Sequence, residues 1–165
     1  MKIFLLLLVL FITSVGASQV VGVYGGKNFL SANYLGIQYV FPSNYPLFLS
    51  AKGLYESFNQ NRLKYSSYGF AVQVHYALFH SNEPSSNWNV QIGAGPIIQR
   101  KQEHWLLPRT SVTSVGAVFG ISGELPVSTV FSFSIFSEQR WFLPNTHLSQ
   151  QFVLGVGLLY KLNLD

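Results

Sequence analysis

Between Tyr65 and Phe79 the chain reads YSSYGFAVQVHYALF, and from Tyr68 to Leu78 every second residue is large and apolar: Tyr68, Phe70, Val72, Val74, Tyr76, Leu78. Ser67, Gly69, Ala71, Gln73, His75 and Ala77 alternate with them. A period of two defines a β-strand, because successive side chains point to opposite faces. One face is therefore greasy and aromatic, and the other is small and mildly polar without a fixed charge. A half-buried strand of a water-soluble protein turns polar or charged side chains to solvent. This one fits a strand that presents bulk to lipid and leaves room inside a narrow barrel.

Composition agrees with that reading. Of 165 residues, 48% are hydrophobic and only 10% charged, which is poor solvation for a soluble domain. No apolar run reaches the roughly 18 residues of a membrane helix. High apolar content without a long apolar run is what a transmembrane β-barrel requires, since its lipid-facing residues alternate with others. The length suits one domain.

Residues 1–18 are expected to be a signal peptide. Lys2 is a short positive start, Ile3 to Ile12 is an apolar stretch too short to span, and Thr13 to Ser18 is small and polar. Cleavage after Ser18, with Gly16 and Ser18 in the small-residue positions, or one residue earlier with Val15 and Ala17, leaves residues 19–165 as the barrel domain. There is no cysteine, which removes disulfides, thiol nucleophiles, thiolate metal sites and a lipoprotein anchor.

The remainder divides into eight candidate strands: Val20 to Lys27, Tyr34 to Phe41, Leu47 to Phe58, Tyr65 to Phe79, Trp88 to Gln99, Ser111 to Leu125, Thr129 to Trp141 and Gln150 to Asn163. Turn signals separate them, the plainest at Pro42 to Pro46 and at His80 to Asn87. Asn59 to Arg62 and Arg100 to Arg109 read as polar loops, and Pro96 inside the fifth strand suggests a bulge or an exit from the membrane. Trp88, Trp105, Trp141, Tyr34, Tyr45, Tyr65 and Tyr160 fall near strand ends, as interfacial aromatic girdles do. The expected fold is all-β, an eight-stranded antiparallel outer-membrane β-barrel of a Gram-negative bacterium, closed so that every backbone group is satisfied in lipid. A soluble lipocalin-like barrel is the competing fold. It would need charges on one face and bulk on the other, and the non-greasy face here is too small and too poorly charged.

Strand parity collects an inner polar set: Lys52, Glu56, Glu124, Glu138 and Arg140, with His75 and Lys161. Such a set could shuttle protons or bind a ligand, but charges left unpaired in a lumen are costly, so the expectation is a structural, salt-bridged plug. Glu138, His147 and Ser149 together suggest acyl transfer of the kind used by small barrels that deacylate lipid A. That family follows its His-x-Ser pair with Asn and later with Asn-Pro-Gly, whereas Gln150-Gln151 follow here. His75, His80, His104 and His147 lack metal-ligand spacing, and no phosphate-binding glycine loop is present, so no catalytic residue, metal or cofactor is expected. The net charge of +4 is scattered and makes no nucleic-acid-binding stripe. Several basic residues are placed to meet the anionic outer surface of a bacterial membrane. Gly155 to Leu162 resembles the last-strand signal read by barrel-assembly machinery, a partner expected during insertion.

The final third carries a further resemblance. Ser137-Glu138-Gln139-Arg140-Trp141, then His147-Leu148-Ser149-Gln150-Gln151-Phe152 and Gly155-Val156-Gly157-Leu158, resemble the end of the TraO family, encoded by conjugative transposons of Bacteroidetes. Upstream, Leu54-Tyr55, Tyr76-Ala77-Leu78-Phe79 before a Ser/Pro turn, and Gly93-Ala94-Gly95 are also similar to it. The resemblance implies an accessory role in a transfer apparatus at the outer membrane, with other transfer proteins and lipid as partners and no catalytic residue. The alternatives are a general OmpX- or OmpA-like surface barrel for adhesion or envelope integrity, and a lipid A-modifying hydrolase.

Overall fold

The computed structural model describes residues 19–28, 32–41, 46–60, 63–80, 88–104, 110–143 and 150–162. They form β1 (Gln19–Asn28), β2 (Asn33–Val40), β3 (Leu47–Gln60), β4 (Leu63–His80), β5 (Asn89–His104), β6 (Thr110–Pro126), β7 (Phe131–Phe142) and β8 (Gln150–Leu162). Each strand pairs antiparallel with the next, and β1 pairs with β8 from Gln19↔Leu162 to Asn28↔Val153, so the sheet closes. The signal-peptide segment and most of the turns expected at Pro42 to Pro46 and His80 to Asn87 lie outside the described residues.

The alternation read from sequence is the alternation observed. Along β4, Tyr68, Phe70, Val74 and Tyr76 are exposed on the outside, while Ser67, Ala71, Gln73 and His75 are buried in the lumen. β7 repeats the pattern, with Phe131, Phe133 and Ile135 outward and Ser132, Ser134 and Phe136 inward. The inside is therefore the core, and the outside is an apolar belt.

Four local features differ from expectation. First, Pro96 makes no bulge. The β4–β5 register is the same on both sides of it, from Ala71↔Ile97 to Val74↔Ala94, and only the pairs between them are missing, as expected where proline offers no N–H. The bulge lies in β4, between Ala77 and Phe79. One extra residue there resets the parity, so Leu78 and Phe79 both face outward. Second, Arg100 to His104 are not loop but the end of β5, paired with β4 from Tyr68↔Arg100 to Lys64↔His104. Third, Asn59 and Gln60 complete β3 and do not begin the loop. Fourth, Tyr34 and Tyr65 are buried inside the barrel and belong to no girdle. Both have inward parity, which outweighs their position near strand ends.

The outward aromatics do mark two rims. At the lower rim, Phe79 lies against Trp88 and Phe131 against Tyr160, with ring centroids 6.3 and 5.0 Å apart. Toward the upper rim, Tyr55 and Tyr68 pair at 5.1 Å, and Trp141 is exposed. Trp105 and Tyr45 lie outside the described residues. β4, β5 and β6 have 18, 16 and 17 residues, well beyond the roughly 9–11 that cross a bilayer, so they stand above the upper rim.

Candidate functional site: a salt-bridged lumen

β3 and β7 are four places apart in a ring of eight and so face one another across the lumen. β3 turns Lys52 and Glu56 inward, and β7 turns Glu138 and Arg140 inward. The four side chains meet in one chain. Lys52 Nζ donates to Glu138 Oε1 at 2.5 Å. Arg140 grips the other oxygen of Glu138 through Nη2 at 2.9 Å and Nε at 3.3 Å, and donates through Nη1 to Glu56 Oε1 at 2.5 Å. Two cations and two anions thus span the lumen and cancel, with the planar guanidinium of Arg140 serving two carboxylates at once. Arg140 is fully buried.

Neighbouring groups hold this chain in place. Glu56 Oε2 accepts from Gln99 Nε2 at 3.1 Å and from Ser67 Oγ at 3.4 Å, and Gln99 also donates to Ser67 Oγ at 2.7 Å. The Arg140 guanidinium lies 5.0 Å from the Tyr34 ring centre, and Lys52 Nζ lies 5.4 and 5.5 Å from those of Tyr24 and Phe136. Cation–π contacts in a desolvated setting add to the ion pairs. Tyr24 and Tyr34 each meet Phe136 edge-on, so a three-ring cluster packs in the lumen beside the charges. Gly155 makes room for it: a Cβ there would come 2.5 Å from Phe136 Cζ.

The other members of the predicted polar set stand apart from this chain. His75 shares a hydrogen bond of 2.8 Å between Nε2 and Ser50 Oγ and stacks on Phe48 at 4.9 Å. Glu124 accepts from Gln91 Nε2 at 2.5 Å. Lys161 is half-buried at the lower end of β8. The structure therefore joins four of the seven and leaves three nearer the lower rim. A cavity of about 10 Å³ separates the groups, lined by Lys52, Gln73, His75 and Glu138 among others, with room for about one water. Gln73 Oε1 and His75 Nδ1 have no protein partner. His147 and Ser149, the candidate hydrolase pair, lie outside the described residues.

Alternation along β4 and β5 places Ser67, Gln91 and Gln99 on the inner face, and the structure supplies their partners. Tyr34 has inward parity in the sequence, sharing its face with Gly36 and Gln38. It is a lumen group despite lying near a strand end, and Tyr24, to which the sequence reading assigns no face, joins it there. Among the basic residues, Lys27, Lys64 and Arg100 are exposed on the outer side near the upper rim.

No protein-family model matches the chain, and no curated protein is significantly similar to it in sequence. Solved structures are similar in fold. The N-terminal β-barrel domain of Pseudomonas aeruginosa OprF superposes with a TM-score of 0.69 at 12% identity, covering 88% of this chain and 97% of that one. Neisserial surface protein A gives 0.67 at 12% identity, covering 88% and 95%. Ail, the attachment invasion locus protein of Yersinia pestis, gives 0.58 at 9% identity, covering 88% and 97%. The chain has the fold of the small outer-membrane β-barrels, and at these identities the likeness extends to fold alone.

Proposed function

We propose that this chain is an exported outer-membrane barrel of a Gram-negative bacterium that works as a structural or interaction component, without chemical turnover and without an open pore. The observation that carries this is the Lys52–Glu138–Arg140–Glu56 chain, which fills the lumen from β3 to β7 and leaves activity to the outer surface and rims. Lys27, Lys64 and Arg100 near one rim favour placing that rim in the anionic outer leaflet. Residues 1–18 act as the signal peptide. Planar-bilayer recording of the folded protein is expected to give no steady single-channel conductance; a stable conducting level sinks the plug. Membrane fractionation with N-terminal sequencing of the folded protein tests export and cleavage.

The more specific reading is an accessory of a conjugative-transposon transfer apparatus, resting on the Ser137 to Trp141 and His147 to Phe152 segments that resemble the TraO family. Deleting the gene in a donor is expected to collapse mating frequency, with rescue on restoring it while the envelope stays intact. Unchanged transfer leaves the general surface barrel as the reading, for which the fold shared with Ail and the neisserial surface protein is the support.

A further inference from the structure

The segment Ser137 to Trp141 is divided by its strand. Glu138 and Arg140 go into the lumen, and Ser137, Gln139 and Trp141 face outward. Trp141 is exposed near the upper rim. A strand tilted about 45° descends about 5 Å for every two residues, which puts Gln139 about 5 Å and Ser137 about 10 Å below Trp141. Register sets their neighbours. Gln139 lies between Phe119 and Phe152, and Ser137 between Ile121 and Leu154. All four are exposed and apolar. Ser137 and Gln139 are thus two polar side chains set into the apolar belt, and among the described residues neither has a side-chain hydrogen-bond partner. The other outward polar groups, such as Lys27, Asn33, Ser66 and Arg100, lie toward the upper ends of their strands.

A polar group without a partner at this depth is costly, because lipid chains offer neither donor nor acceptor. Serine is too short to reach the headgroups from there. A carboxamide carries both a donor and an acceptor, so it is complementary to itself. A two-fold axis normal to the bilayer brings a residue against its own copy, which is the symmetry that a self-complementary group satisfies. Ala117 lies beside Trp141 on β6, and with Ser137 it lowers the surface so that two backbones can approach.

We propose that the outward face of β7, centred on Gln139, is a dimer interface with a second copy of this chain, the two Gln139 amides hydrogen-bonding across the two-fold axis inside the bilayer. This rests on the membrane-spanning reading above. A chain without cysteine makes the test direct, since any cysteine introduced is the only one present. The folded protein, reconstituted in phosphatidylcholine vesicles at low protein-to-lipid ratio, would be oxidised as the Ser137→Cys and Ile37→Cys variants. Ser137→Cys is expected to give a disulfide-linked dimer band, and Ile37→Cys, on β2 away from the face, is not. Adding Gln139→Leu to Ser137→Cys is expected to weaken dimerisation about tenfold, and Gln139→Asn, which keeps the amide, to weaken it less. Equal linking at both positions, no linking at Ser137→Cys, or no effect of Gln139→Leu overturns the interface. Heat-modifiable gel mobility of every variant checks that it is folded. A barrel that fails that check in all variants would sink the membrane reading itself, a result distinguishable from loss of the dimer alone.

Discussion

Arg140 shows how much a single side chain can be asked to do in a narrow lumen. It is fully buried and holds carboxylates from both β3 and β7. Replacing it with alanine leaves Glu56 and Glu138 facing one another with only Lys52 to compensate. The expected cost is about 3–5 kcal/mol, measured by urea unfolding in lipid vesicles. The Lys52→Met, Glu138→Met pair removes one charge of each sign and should cost less than either single change predicts by addition. A double-mutant cycle checks that; simple additivity would mean the two charges are not coupled. Gly155 supports a second expectation. Gly155→Val drives a side chain into the Phe136 ring and against the Gly25 carbonyl oxygen and should destabilise by about 1–3 kcal/mol in the same unfolding measurement.

At the scale of the strand, parity decides consequences. Val74→Lys puts a charge on the lipid-facing side of β4, where it is expected to cost about 2–4 kcal/mol, while Lys64→Ala near the rim should be close to neutral. The same rule explains what could be read from the sequence. All eight strands and the inward positions of Lys52, Glu56, His75, Glu124, Glu138 and Arg140 follow from a period of two and from turn residues. The features that escaped are those parity alone does not carry. The bulge at Leu78 inserts a residue without any glycine or proline to announce it. The extension of β5 through His104 is made of polar residues, because above the membrane a paired strand has no need of apolar ones. Which inward charges would touch was also hidden, since contact across the lumen depends on register and stagger accumulated over four strands.

The molecule as a whole is a closed ring in which the first described strand meets the last. The ion pairs that cross it join residues 86 and 84 positions apart in sequence. Contacts of such separation form late, because the loop that joins them must first be closed. Until β7 arrives, Lys52 and Glu56 have nothing to neutralise them. A chain cut short before Glu138 would keep the hydrogen bonds of Gln99 and Ser67 to Glu56 but lack the charge partners of both Lys52 and Glu56, and charges without partners are costly in a membrane. The lumen clasp therefore ties charge neutralisation to ring closure: Lys52 and Glu56 find their partners only once β7 has taken its place opposite β3.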